Sequence, residues 1–330
     1  MTRHDVEAGV ESLRSDSCDG PRELLLAPRE VPLGGVRAMA VQRSLPQRDL
    51  PTVGAWCFFD RFGPQDAVMR VDPHPHIGLQ TVTWPLVGEV RHRDSLDSDV
   101  TISRGVLNIM TSGRGISHSE YSVGDEPAPL DALQLWIALP EARRHGAPDF
   151  ERHGDLPSLT LHASEGADAA ATVVVGELAG AVSPATVHTP IVGAEVVLTP
   201  GSRVRIPLRP EWEHAIAAVE GDLLAHAGRH GEPTSLGPLD LFYLGVSRDH
   251  VEVSSESGGM FFLLGGEPFE DDLVMWWNFV GRDHDEIVAA REEWEAGSDR
   301  FGRVVTHDPQ QRIPAPPMPH VRLTPRRRRV

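Results

Sequence analysis

PLVGEVRHRDSLDSDVTISRGVLNIMTSG, residues 85–113, reads as a strand, a glycine turn, a hairpin, and a glycine before another strand. AVEGDLLAHAGRHGEPTSLGPLDLFYLGV, residues 218–246, follows the same order. Superposing Gly88 on Gly221 makes the two halves distant copies of one β unit. Short apolar or alternating runs extend the pattern on both sides. In the first half they are Val36–Val41, Trp56–Phe59, Gln80–Leu86, Val100–Ile102, Leu107–Thr111 and Leu133–Leu139. In the second they are Thr172–Val175, Glu195–Leu198, Arg203–Ile206, Ala215–Val219, Leu241–Leu244, Val251–Val253 and Met260–Leu264. Strands this short at this spacing predict a sandwich or barrel, built twice. The 31 Gly and 28 Pro among 330 residues agree, because they favour turns over long helices.

The expected division follows. Residues 1–22 form a polar, disordered leader, and 23–150 a first barrel, with a connector from Ala147 to about Gly166. Residues 151–302 form a second barrel plus a helix, and 303–330 an extended Pro- and Arg-rich tail. Asp283 or Asp285 caps the helix, which runs to Glu295 with Ile287, Ala290, Arg291 and Trp294 on one face.

Composition removes several function classes. The formal charge is −17, and every one of the basic side chains other than His is Arg. So acidic a body repels phosphate, so no direct nucleic-acid partner is expected. The run Arg326–Arg329 reads as a solvated tail. Cys18 and Cys57 form no disulfide framework, which suggests a reducing compartment. No apolar leader and no stretch of membrane-spanning length is visible, so a cytoplasmic location is expected.

The chemistry sits in two blocks, DPHPHIGLQTVTW (72–84) and MTSGRGISHSEYS (110–122). Each carries two donors one residue apart, His74 with His76 and His118 with Glu120. In a strand, residues i and i+2 share a face. If the two strands face each other across a barrel, three imidazoles and one carboxylate converge. That donor set suits a first-row transition metal better than calcium or magnesium. On spacing alone, a ligand set and surface decoration both stand. In the second copy the superposition puts Pro207, Arg209, Val251 and Val253 at the four donor positions, so that half keeps the barrel without the ligands.

The blocks DPHPHIGLQTVTW, GEVRHRDS (88–95), MTSGRGISHSE (110–120) and LQLWIALP (133–140) together resemble the pirin family of the cupin superfamily. RSLPQRDLPTVGAWCFFDRFGP (43–64) is similar to that family's entry segment, and LLGGEPFEDDLVMWWNFVGRDHDEI (263–287) to its C-terminal segment. The resemblance implies an all-β protein of two cupin (jelly-roll) barrels in tandem with a short C-terminal helix. It implies that His74, His76, His118 and Glu120 hold one divalent metal in the first barrel. Fe(II) is the expected ion, with Mn, Ni, Co or Zn as alternatives. It further implies a quercetin 2,3-dioxygenase-like activity on a small aromatic substrate and dioxygen, with Glu120 as base. The alternative is a redox-sensitive regulatory protein acting through a protein partner. A monomer is expected.

The chain departs from the family pattern at four places. Gln80 stands where Glu is usual, which removes a carboxylate from any acid–base role. Asp97–Ser98–Asp99 replaces a hairpin glycine, Ala138 replaces a frequent Asn, and MWWNFV (275–280) replaces a commoner C-terminal pattern. Other residues receive plain expectations. Trp84 and Trp136 are core, Cys57 is a buried small apolar group, and one of Trp276 and Trp277 packs between the barrels. His92 is expected exposed on its hairpin, with lining of the barrel mouth as the alternative, and His188, His214, His226 and His230 are expected at the surface.

Overall fold

A computed structural model describes residues 20–33, 39–228, 232–308 and 310–325. Nearly all of the strand pairing is antiparallel, and the strands form two barrels. The first is closed by two sheets. Its seven-stranded sheet takes the order Asp149–His153, Leu107–Thr111, Leu79–Val87, Ala128–Ala138, Trp56–Ala67, Met39–Leu45, Arg29–Leu33. Its four-stranded sheet takes the order Arg70–His76, Ile116–Ser122, Val90–Asp94, Asp99–Ile102. The second barrel is one eleven-stranded sheet.

The repeat expected from the glycine superposition is visible in that difference. Where the first barrel uses Leu79–Val87 and then Val90–Asp94, the second runs one strand, Glu213–His226, through both positions. It bends at register shifts around Ala218–Glu220 and Gly221–Leu223. Gly88 and Gly221 both hold φ near +90° (83° and 91°). A Cβ at either would lie 2.3 Å or 2.2 Å from a carbonyl oxygen of the crossing strand, Pro129 or Gly258. Only glycine allows that approach at a left-handed backbone.

The register corrects one detail. His74 stands opposite His118 in the first barrel, and Ile206 stands opposite Val251 in the second. The counterparts of His74 and His76 are therefore Ile206 and Leu208, not Pro207 and Arg209. The path to the shared glycine is one residue longer in the second copy. A pattern match cannot see that, yet one residue exchanges the two faces of a strand.

The largest apolar cluster lies between the barrels. Trp56, Phe59, Val82, Trp84, Ile109 and Leu135 meet Ile191, Ala215, Ala217, Tyr243, Phe262 and Leu264. Two indoles tie it down. Trp56 Nε1 donates to the Val192 carbonyl at 2.9 Å, and Trp84 Nε1 to Glu195 Oε2 at 2.8 Å. A second cluster fills the interior of the second barrel.

Several expected segments resolve differently. Pro21–Leu26 straddles the expected leader boundary and pairs with Leu241–Gly245 of the second sheet. Residues 1–19, the rest of the expected leader, lie outside the described residues, as do Val36–Ala38 and Arg326–Val330. The expected connector holds edge strands. Asp149–His153 pairs with Leu107–Thr111, and Ser158–Leu161 with Ala169–Leu178. The helix is His284–Glu295, capped by the Asp283 side chain, with Ile287, Ala290 and Trp294 buried.

Among the described residues, 302–308 and 310–325 are irregular but fastened. Ile313 N donates to the Pro73 carbonyl at 2.9 Å, and Trp294 Nε1 to the Ile313 carbonyl at 2.9 Å. Trp276 and Trp277 pack with Ile77, Phe279 and Trp294 beneath this segment and the helix, rather than between the barrels. Among the described residues, no helix is long and apolar enough to cross a membrane.

Candidate metal centre

Two neighbouring strands build the site. Arg70–His76 and Ile116–Ser122 are hydrogen-bonded partners in the four-stranded sheet, with His118 opposite His74. They do not face each other across the barrel, as the spacing argument supposed. The imidazoles meet because His74 and His118 are a cross-strand pair and His76 lies two residues along the same face. Ring centroids are 4.3 Å apart for His74 and His118, 5.0 Å for His76 and His118, and 5.1 Å for His74 and His76. Nitrogens from all three lie within 4.8 Å of one another.

The register shifts between His118 and Glu120, where one residue of Ile116–Ser122 is matched by two of Arg70–His76. The extra residue falls at Asp72–Pro73, and proline lacks the N–H that a regular ladder would use. Glu120 is carried along the strand and stands opposite Val71 and His92. Its Oε1 accepts from Thr83 Oγ1 at 3.0 Å. The structure thus brings three of the four expected donors together, with the carboxylate two residues along the strand from His118 and held by Thr83.

All three imidazoles are buried. Burial pushes His74 down to about 4, opposed by the hydrogen bond to the Asp72 carbonyl and helped by the neighbouring His92 ring. Burial, with the neighbouring imidazoles, pushes His76 and His118 well below the usual range. They are therefore neutral ligands at pH 7. His74 Nδ1 is committed to the Asp72 carbonyl at 2.9 Å, which leaves its Nε2 free. His76 Nε2 and His118 Nε2 are 3.1 Å apart. Two nitrogens on one ion at about 2.1 Å each would be separated by roughly 3.0–3.4 Å, so this donor set fits a transition metal. Burial raises the Glu120 carboxyl, against the opposing effects of His92 and the Thr83 hydrogen bond.

The wall beside the imidazoles is aromatic. Trp136 stacks on Phe58 at 4.0 Å and meets the edge of His76 at 5.3 Å, and the Arg43 guanidinium lies 4.3 Å over Phe58. Trp136 is thus buried, yet it belongs to the site. On the neighbouring strands, Thr83 Oγ1 also lies 3.0 Å from Gln134 Oε1. Asn108 is paired in register with Thr83, and both polar atoms of its buried amide lack partners.

Gln80 lies elsewhere. Leu79–Val87 alternates, with Thr83 toward the imidazoles and Val82 and Trp84 in the inter-barrel cluster. Gln80 shares the second face. Its amide donates to Thr111 Oγ1 at 2.8 Å and to the Thr186 carbonyl of the second half at 3.1 Å. The departure from Glu thus changes a contact between halves and removes no carboxylate from the centre.

His92 also differs from expectation, being 2% exposed. It stacks on Phe150 at 4.7 Å, its Nδ1 is 3.3 Å from His118 Nδ1, and its Nε2 is 3.1 Å from Asp94 Oδ2. The signal was available: His92 and Asp94 are spaced i, i+2, like the ligand pairs. Burial raises the Asp94 carboxyl, but the His92 contact and the N–H groups of the turn outweigh it and leave it lowered. His214 is likewise buried, against Trp212. Cys57 is fully buried, and burial pushes its thiol up to about 12, so it is not a reactive thiolate.

Comparison with known proteins agrees with the architecture. Residues 38–137 match the family described as Pirin, and residues 193–302 the Pirin C-terminal cupin domain. A Pseudomonas aeruginosa protein named "Putative quercetin 2,3-dioxygenase" is 39% identical over 322 residues, covering 96% of this chain and 98% of that one. A "Pirin-like protein" of Caulobacter vibrioides is 33% identical, covering 78% and 88%. The crystal structure of a quercetin 2,3-dioxygenase from Acinetobacter baumannii is 37% identical, covers 91% of this chain and 97% of its own, and superposes with a TM-score of 0.82. Two tandem barrels, a three-histidine cluster in the first, and this similarity along almost the whole length make the chain a member of the pirin family.

Proposed function

We propose that the first barrel is a mononuclear metal centre that opens the ring of a flavonol-like substrate with dioxygen. The observation that carries the proposal is the convergence of three buried, neutral imidazoles beside a carboxylate and an aromatic wall. His74, His76 and His118 hold the ion. Glu120, two residues along the strand from His118, is the carboxylate we assign to the same centre. Iron(II) is the ion we assign, and Mn, Ni, Co and Zn compete for the same donors. The ion, when bound, supplies Lewis acidity and redox capacity toward dioxygen.

The chain's own groups bind and orient. The Phe58–Trp136 stack offers a flat apolar surface beside His76, suited to an aromatic ring. The unpaired Asn108 amide offers a donor and an acceptor to substrate oxygens, since a buried amide without partners costs about 1–3 kcal/mol until one arrives. Glu120 takes the proton of the substrate hydroxyl on Oε2 while Thr83 holds Oε1. Its raised pKa makes it a stronger base than an exposed carboxylate. The similarity to quercetin 2,3-dioxygenases supports this substrate class.

The test is a reconstitution. Protein loaded anaerobically with iron(II) is mixed with quercetin and then with oxygen. Flavonol absorbance is expected to fall in proportion to bound metal, and to stay constant with metal-free protein or His118→Ala. Constant absorbance with fully loaded wild type overturns the proposal.

A further inference from the structure

We infer that His92 and Asp94 are positioning residues for the metal centre, fixing His118 as the Nδ1–H tautomer and so turning its Nε2 lone pair toward the ion. The inference rests on the metal reading above and concerns groups outside its ligand set.

The chain of contacts has one consistent direction. Asp94 is 1% exposed, and its Oδ1 is taken by the N–H groups of Leu96 at 2.8 Å and Ser98 at 3.1 Å. Its Oδ2 therefore remains for His92 Nε2 at 3.1 Å. An ionised carboxylate only accepts, so His92 Nε2 must carry the proton. With one proton on the ring, that N–H is on Nε2 and His92 Nδ1 is the acceptor. It lies 3.3 Å from His118 Nδ1, which must then donate. The remaining nitrogen of His118 is Nε2, the atom that lies 3.1 Å from His76 Nε2.

The ring that transmits this is held. Phe150 stacks on His92 at 4.7 Å with planes 17° apart. The two chemically analogous contacts are unlike in charge: His74 is oriented by a neutral carbonyl, that of Asp72, whereas His118 is oriented through an imidazole by a buried carboxylate. Groups of this kind fix ligand orientation and raise ligand basicity, and losing them costs about 10–100-fold in metal affinity. In the second barrel the position of His92 is Ala225, paired with Val253 as His92 is with Glu120. The pair is thus present only in the copy that has ligands.

Three variants test it. His92→Gln keeps an acceptor for His118 and a donor for Asp94. His92→Leu removes both. In Asp94→Asn the amide oxygen still serves Leu96 and Ser98, but the NH2 group meets His92 Nε2. That reverses the His92 tautomer, so its Nδ1–H donates to His118 Nδ1 and His118 carries its proton on Nε2, the wrong tautomer for the ion, as amide-for-carboxylate exchange gives the wrong tautomer in catalytic triads.

The tautomers are read first in metal-free protein by 15N NMR of the imidazoles. His118 is expected as Nδ1–H and His92 as Nε2–H in wild type, with both reversed in Asp94→Asn. Cobalt(II) affinity and the visible spectrum of the cobalt form are then compared. His92→Gln is expected within about threefold of wild type, and His92→Leu and Asp94→Asn to lose about 10–100-fold. Thermal unfolding of the metal-free variants confirms that each compared protein is folded. Wild type that takes up no cobalt overturns the metal reading itself. Tight wild-type binding with unchanged affinity and spectrum in His92→Leu and Asp94→Asn overturns the relay alone.

Discussion

The two barrels share a strand plan and differ in what fills them. At one level of the first stand His74, His76, His118 and His92; the corresponding level of the second holds Ile206, Leu208, Val251 and Ala225. All four of these aliphatic residues are buried in one apolar cluster. A closed barrel needs side chains on its inner face, and either filling closes it. Aliphatic groups gain from leaving water, whereas buried imidazoles cost free energy unless each nitrogen finds a partner. The second barrel thus has the apolar filling, and the first carries a polar interior whose three imidazoles could hold an ion.

That contrast can be broken by substitution. The largest expected effect is on metal content: His118→Ala, His74→Ala or His76→Ala should abolish stoichiometric metal by elemental analysis, while Val251→Ala leaves it intact. Stability should show the opposite asymmetry. Ile206→Ala opens a cavity in the second barrel and should cost about 2–5 kcal/mol in denaturant unfolding. His74→Ala in metal-free protein should cost far less, because it removes a buried polar ring.

Acid should erase the contrast. In metal-free protein, His74 in the first barrel and His214 in the second are both pushed down to about 4 by burial. The unfolded chain binds protons near pH 6.5 and the folded chain does not. Stability is thus full above about 6.5 and falls as pH drops toward 4, by roughly 3 kcal/mol for each such group. His214→Gln should flatten the pH dependence by one group's share. An unchanged pH slope in that variant would mean that His214 does not contribute.

The smallest effect is expected at Gln80. Gln80→Glu replaces two donated hydrogen bonds with a carboxylate facing the Thr186 carbonyl. It should cost about 1–3 kcal/mol of stability and leave metal content unchanged. Lost metal in that variant would return Gln80 to the centre.

How much of this was legible in the sequence varies by residue. The histidine cluster was readable in part because strand alternation is local, so His74 with His76, and His118 with Glu120, share faces without knowledge of any partner. The repeat was readable because Gly88 and Gly221 sit where a crossing strand forbids a Cβ. Strand pairing is not local. The expectation of strands facing each other gave way to adjacent strands, and the Asp72–Pro73 irregularity that displaces Glu120 depends on that adjacency. Gln80 was misjudged because alternation gives two faces without saying which one meets the second barrel. His92 was set outside because a hairpin suggests exposure, whereas this hairpin lines the interior and is covered by Phe150 from the segment expected to be a connector.

The pairing of Pro21–Leu26 with Leu241–Gly245 has a consequence in time. Leu24 leaves the ribosome early, and its partner Tyr243 is made roughly 220 residues later. At about 5–20 residues per second, that is an interval of roughly 10–45 s. The first barrel's strands are synthesised within it, while Pro21–Leu26, the earliest strand among the described residues, waits as a bare edge, open to other strands. One edge of the second sheet is paired by Pro21–Leu26, made before the first barrel's strands, so the two domains cannot mature in simple succession. A nascent chain arrested before Leu241 should expose that edge, and one released after Gly266 should not.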